Sequence, residues 1–246
     1  MTGNCSMFID FHTHRDRQAP NLINLQTVDV NPQLEESISG GAAPPRHQKL
    51  EAQDLPNLCS LGLHPWFIKD DLWEAAWLTL ERLASYSQVV AIGECGLDRN
   101  VAVPMELQIA VFEKHIRLAE SLRKPLVIHC VRAFDLLIML KKNHKPLIPW
   151  IIHGFHKKQA VFQQLLEQGF HFSFGAAILN HDQQMVEAIA TVPMGRFLLE
   201  TDDRPDLQVE QIYERAAMLR QISLETLQAQ LVKTYEQLTR LSGFGL

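Results

Sequence analysis

The sequence predicts a (β/α)8 barrel, and three observations predict it. Eight short β-rich runs recur along the chain, amphipathic helical stretches separate most of them, and 246 residues with 46% apolar content supply one large core. Buried strands alternating with amphipathic helices imply a mostly parallel sheet, for which the open doubly wound sheet is the alternative arrangement. No linker composition divides the chain, which is therefore read as a single domain, 1–246.

The candidate strands in order are MFIDF at 7–11, LINLQTVDV at 22–30, LCSLG at 58–62, VVAIGE at 89–94, PLVIH at 125–129, WIIH at 150–153, FHFSF at 170–174 and RFLLE at 196–200. Helical spacing places Leu72, Ala76, Leu80 and Leu83 on one face, and Ile109, Phe112, Ile116 and Ala119 on another. Residues 15–21 and 31–57, with SISGGAAPPRHQ inside the latter, are too short or too rich in breakers for full crossover helices, so the barrel is expected to be abbreviated after its first strands. The Gly and Pro cluster at 40–45 reads as a surface loop. From about Leu207 to Leu241 two helices follow one another, with Ser223 as N-cap of the second and Glu225 in its first turn.

Composition narrows the function classes. Twenty-three Lys and Arg against 28 Asp and Glu give a net charge of −5, so any contact with a phosphate chain must be local rather than driven by an overall basic field. Cys5, Cys59, Cys95 and Cys130 form no C-x-x-C pair, which fits a reducing compartment, the cytoplasm by default. The start MTGNCSMFIDFHTH has no basic and apolar leader, and no stretch reaches the ~20 apolar residues of a membrane span. Membrane association and an obligate protein partner are not expected.

The chemistry lies in how the 11 histidines and the acids are placed. In IDFHTH, strand alternation turns Asp10, His12 and His14 to one face and Phe11 and Thr13 to the other. Four more strands run out into ligand-type residues: Glu94 closes VVAIGE, His129 closes PLVIH, His153 closes WIIH, and Asp202 follows RFLLET. This is the C-terminal rim, where barrels of this kind collect their active sites. A core histidine satisfying a backbone group explains any one of these residues, but five strand ends at once require five coincidences. Four imidazoles and two carboxylates exceed the needs of one tetrahedral ion, so a two-metal site with Glu94 bridging is expected. Cys95 and Cys130, next to Glu94 and His129, should point to the opposite face as buried thiols rather than ligands.

The motifs FHTH, GLHP, GECGLD, LVIH, IIHGF and ETD occur in that order. Over nearly the whole chain they resemble the TatD family of metal-dependent hydrolases, among the amidohydrolase-like TIM barrels. GECGLD at 93–98 and LLETD at 198–202 are the most specific pieces. The resemblance implies a hydrolase, most often a divalent-metal DNase, with some relatives described as acting on aminoacyl-tRNA. It implies His12 and His14 as ligands from the first strand, Glu94 as bridging carboxylate, His129 and His153 on the second metal, and Asp202. It also implies a substrate-side role for His64 in GLHP, as a phosphate contact. This chain differs from the family pattern at HGFHK and ETDDRP, and Arg132 stands one position beyond the usual His-x-Arg.

The expected reaction is hydrolysis of a phosphodiester such as DNA by water activated at two divalent ions (Zn, Mn, Fe or Mg), with Glu94, Asp202 and His64 as the catalytic set. Asp202 could accept the water's proton, while His64 with Arg132 or Lys157 would orient the phosphate. The same constellation would serve a deacylase or amidase, and a non-catalytic member of the same fold is the third reading. Asp98 and Asp203 are expected to accept loop hydrogen bonds or to orient histidines. Lys141, Lys142 and Lys145 read as a solvated helix end, Trp73 and Trp77 as packing residues, and Trp66, beside HP, as a ring near the rim available to stack on a base.

Overall fold

The computed structural model describes residues 6–31, 50–68, 72–180 and 183–239; Cys5 and the cluster at 40–45 lie outside them. The described strands are β1 (Phe8–Thr13), β2 (Leu22–Asp29), β3 (Cys59–Gly62), β4 (Val89–Asp98), β5 (Leu126–Val131), β6 (Trp150–Ile152), β7 (His171–Phe174) and β8 (Phe197–Leu199). They lie in one sheet in chain order, with parallel pairing, and Thr13 bridges Asp202 in parallel beyond β8. Helices α1 (Leu72–Leu83), α2 (Met105–Leu122), α3 (Phe134–His144), α4 (Gln159–Glu167), α5 (Gln183–Thr191), α6 (Val209–Arg220) and α7 (Leu224–Thr239) complete the alternation. This is the (β/α)8 class. No helix separates β1 from β2, and the described residues between β2 and β3 hold only a 3-10 turn at Ala52–Asp54, as the breaker-rich sequence there requires.

The chain divides into two compact units, Met1–Gln26 with Pro149–Leu246, and Thr27–Ile148. In the first unit, β1 is wholly buried, and Tyr213 of α6 clamps it: its hydroxyl accepts from Ile9 N at 3.0 Å while its ring meets Phe8 edge-on at 5.1 Å. Phe155, Phe162, Phe172, Phe174 and Phe197 form a chain of ring contacts 4.9–6.0 Å apart around β7 and β8. Burial of such rings, a few kcal/mol each, sets these strands firmly. The two terminal helices are present, and the Ser223 hydroxyl accepts from Thr226 N at 3.2 Å as the N-cap of α7.

In the second unit, every residue of β4 is buried, and α2 packs on β4. Phe112, Ile116 and Ala119 are buried as the sequence spacing predicts. Ile109 is only half-buried, and Gln108, Val111, Phe112, His115, Ile116 and Ala119 form the inner face. Two polar residues are admitted because each finds partners. Gln108 accepts from Asp98 N at 2.7 Å and donates to the carbonyls of Asp98 at 3.0 Å and Val103 at 2.8 Å, while His115 Nε2 accepts from Leu63 N at 3.1 Å. They pin the outgoing ends of β4 and β3. Leu72, expected on the inner face of α1, is exposed at the helix's first position; Trp77 packs inward against His115. Lys141, Lys142 and Lys145 mark the end of α3, with Lys145 as its left-handed C-cap.

Candidate metal centre

In the first unit, backbone pairing brings three of the expected ligands together. Asp202 N donates to His12 O at 2.8 Å and His14 N donates to Asp202 O at 3.3 Å, so Asp202 lies opposite the two histidines of β1. Asp202 adopts φ +56°, a left-handed conformation that Asp tolerates better than most residues. Its Oδ1 stands 3.7 Å from His12 Nε2 and 3.6 Å from His14 Nε2. Those spacings are too long for hydrogen bonds. They match ligands sharing one ion, which at ~2.1 Å from a tetrahedral centre are ~3.4 Å apart. The His153 ring lies 4.2 Å from that of His12, and His12, His153 and Asp202 can turn one ligand atom each to a common point. His12 is buried, whereas Asp202 is 37% exposed, so the cluster opens to solvent on the Asp202 side.

Asp10 shares the His12 face but is occupied: it accepts from Thr201 N at 2.8 Å and Thr201 Oγ1 at 2.6 Å. Burial pushes its carboxyl up to about 6, against those hydrogen bonds. Glu200, which the sequence reading passed over, is fully buried behind His153. Its Oε1 accepts from Gly154 N at 2.6 Å and lies 3.6 Å from His153 Nδ1. Burial works to raise this carboxyl, but His153 beside it, with His12 beyond, holds it below the ordinary range. A carboxylate behind Nδ1 turns Nε2 outward as a ligand. Two acids at one strand end, Glu200 and Asp202 in ETD, were the available sign that one supports the other.

In the second unit, Glu94, His129 and His64 converge. Gly93 and Gly96 flank Glu94 with φ of +137° and +146°, and a Cβ at either would run into a carbonyl oxygen of β5, Val127 or His129. The register between β4 and β5 shifts across this GECG segment, between Ile92 and Cys95. Glu94 Oε1 then lies 2.8 Å from His129 Nδ1 and 3.1 Å from His64 Nε2. On its far side, His129 Nε2 faces Asp98 Oδ2 at 3.1 Å. A neutral imidazole carries one N–H, so it can donate to only one of the two carboxylate oxygens, and its other nitrogen is a lone pair that a cation could take.

His64 is different. Its Nδ1 accepts from Trp66 N at 3.1 Å, which puts the proton of the neutral ring on Nε2 and makes that atom a donor toward Glu94. This fits a residue that donates to an anion, although the three residues can also converge on one ion. Asp98 is itself oriented: its Oδ2 accepts from Trp66 Nε1 at 2.9 Å and its Oδ1 from Asn100 N at 2.7 Å. Burial would raise its carboxyl, but those bonds and His129 hold it below the usual range. Cys95 is a buried thiol directed to Val127 O, pushed well above its ordinary value by burial, and so is no thiolate ligand. Arg132, Lys157 and Asp203 stand exposed on loops.

The donor set of both clusters is imidazole nitrogen and carboxylate oxygen, which suits a divalent cation. The class that fold and site define is a (β/α)8 barrel with candidate metal-binding residues at its strand ends. A family model of TatD-related DNases matches residues 9–240. The chain belongs to that family. It is 34% identical over 149 residues to an uncharacterized metal-dependent hydrolase of Buchnera aphidicola subsp. Baizongia pistaciae, covering 59% of this chain and 55% of the relative. It is 35% identical over 173 residues to a 3'-5' ssDNA/RNA exonuclease TatD of Erwinia amylovora, covering 67% and 66%. The chain thus spans less than two thirds of the length of these relatives. Among solved structures, YJJV, a TatD homologue of Escherichia coli K12, superposes with TM-score 0.74 at 21% identity over 96% of this chain and 99% of its own. Among the described residues, no helix is long and apolar enough to cross a membrane.

Proposed function

We propose that the chain acts as one hydrolase domain that cleaves phosphodiester bonds of single-stranded nucleic acid. In this reading it uses two divalent ions, one held in each cluster. The observation that carries this is the first cluster, whose nitrogen and oxygen atoms are spaced as ligands of a shared cation, beside a second in which Glu94, His129 and His64 converge closely enough to hold another. His12, His14, His153 and Asp202 form the first cluster, and Glu94 with His129 the second. The names of the Erwinia and Buchnera relatives agree with it. Buried thiols at Cys59, Cys95 and Cys130 suit the reducing cytoplasm.

When bound, the ions lower the pKa of water and neutralise charge on the phosphoryl oxygens. Asp202, a carboxylate open to solvent, accepts the proton of the attacking water. His64 donates from Nε2 to a phosphate oxygen, its tautomer set by Trp66 N, and Asp98 and Glu200 hold His129 and His153 in their orientations. Arg132 and Lys157, exposed on their loops, supply charge to the approaching phosphate chain.

The test is hydrolysis of a single-stranded oligonucleotide, beside an aminoacyl ester, by metal-loaded wild type, Glu94→Ala and Asp202→Ala. Oligonucleotide cleavage should fall about 100-fold or more in both variants, with folded circular dichroism and reduced metal content. Preference for the ester, or undiminished cleavage by the variants, would overturn the assignment.

A further inference from the structure

Trp66 lies in the 3-10 turn Pro65–Phe67 that follows β3, and 52% of it is open to solvent. An exposed indole is usually mobile, but this one is fixed from three sides. Its Nε1 donates to Asp98 Oδ2 at 2.9 Å, the oxygen that also faces His129. Its ring stands at 90° to His64 with centroids 5.0 Å apart, and at 76° to His129 at 6.2 Å. The polar end of the indole is therefore satisfied on the protein side while apolar ring surface remains in water. A rigid aromatic ring loses little conformational freedom when something stacks on it.

We propose that Trp66 is the stacking platform for a nucleobase of the strand whose phosphate His64 receives. This rests on the hydrolase reading above and deepens it by naming a base subsite. The two rings are in edge-to-face contact, so a strand whose phosphate reaches the imidazole passes beside the indole, where its base can stack. Stacking accepts any base, since each has a π-face, and it requires single-stranded substrate because a paired base has no free face to offer. With a net charge of −5 the chain has little long-range attraction for a phosphate backbone, and a stacked base supplies affinity that does not depend on salt.

The test uses binding, measured by fluorescence anisotropy in chelator and again with calcium, of a labelled single-stranded thymidine hexamer and of the abasic chain of equal length. Wild type should bind the hexamer about tenfold more tightly than the abasic chain, with quenching of tryptophan emission. Trp66→Leu should abolish that ratio without changing affinity for the abasic chain. Trp66→Phe, which keeps a ring but loses the donor to Asp98, should retain most of it. Absence of any base preference in wild type, equal loss on both chains in Trp66→Leu, or Phe behaving as Leu would each overturn the platform. Because binding is read without turnover, failure of oligonucleotide cleavage would count against the hydrolase reading alone.

Discussion

In the proposed site, Glu200 acts without touching substrate. It occupies the interior side of His153, satisfies Gly154 N, and leaves the other ring nitrogen for a cation. Glu200→Gln keeps an oxygen for Gly154 but removes the negative charge that faces His153 Nδ1. Metal affinity, measured by competition with a chromophoric chelator, should drop about 10- to 100-fold with the fold intact. Glu200→Ala should also lose stability, about 1–3 kcal/mol, because the hydrogen bond from Gly154 N to a charged acceptor is lost. Unchanged affinity in the Gln variant would remove Glu200 from the metal site. Asp98 stands in the same relation to His129 and was expected from the sequence to orient a histidine. Glu200 was not, because inside an apolar run a buried acid reads as the strand's last residue until its neighbour in space is known.

The site depends on elements as much as on side chains. Helix α2 carries Gln108 and His115 inward, and through them fixes the ends of β4 and β3 from which Asp98 and His64 project. His115 donates from Nδ1 to Val111 O at 2.9 Å and accepts Leu63 N on Nε2, which only the neutral ring can do. Burial lowers its pKa from 6.5 to about 4. Between those values the unfolded chain takes up a proton that the native state refuses, so stability is lost as pH falls from about 6.5 to about 4. His115→Gln can make the same two bonds without titrating. The stability difference between wild type and this variant, from denaturant melts in chelator, should shift against wild type by up to roughly 3 kcal/mol across that window. A difference constant with pH would exclude this role. The 3.6-residue period located α2 and placed Phe112, Ile116 and Ala119 on its inner face, but left out Gln108 and His115. Periodicity counts apolar residues, and it cannot know that a glutamine and a histidine will be paid back in hydrogen bonds.

For the whole molecule, bound cations are a stabilising term that folding alone does not supply, because the ligands cluster only in the native state. At a free metal concentration 100 times its dissociation constant, one ion adds about 2.7 kcal/mol. For a chain of this size that corresponds to roughly 5–10 °C in Tm. Manganese or zinc added to chelator-treated protein should therefore raise Tm by that amount, and Asp202→Ala should show a smaller rise. A Tm indifferent to metal would exclude tight binding at either cluster.

The sequence by itself determined the alternation of strands and helices, the abbreviated connection after β1, and the ligand types at the strand ends. All of these follow from local periodicity and from residue chemistry, and both are written in the chain. Only the tertiary structure decided which atoms meet. Asp202 lies between His12 and His14 because a backbone bridge joins positions 189 residues apart, and Glu94 reaches His129 because two glycines let β4 and β5 approach closely. Likewise the proton on His64 is assigned by a hydrogen bond from Trp66, and the supporting acids Glu200 and Asp98 are defined by the histidines they face. Such relations depend on distance and burial, which a linear order does not encode.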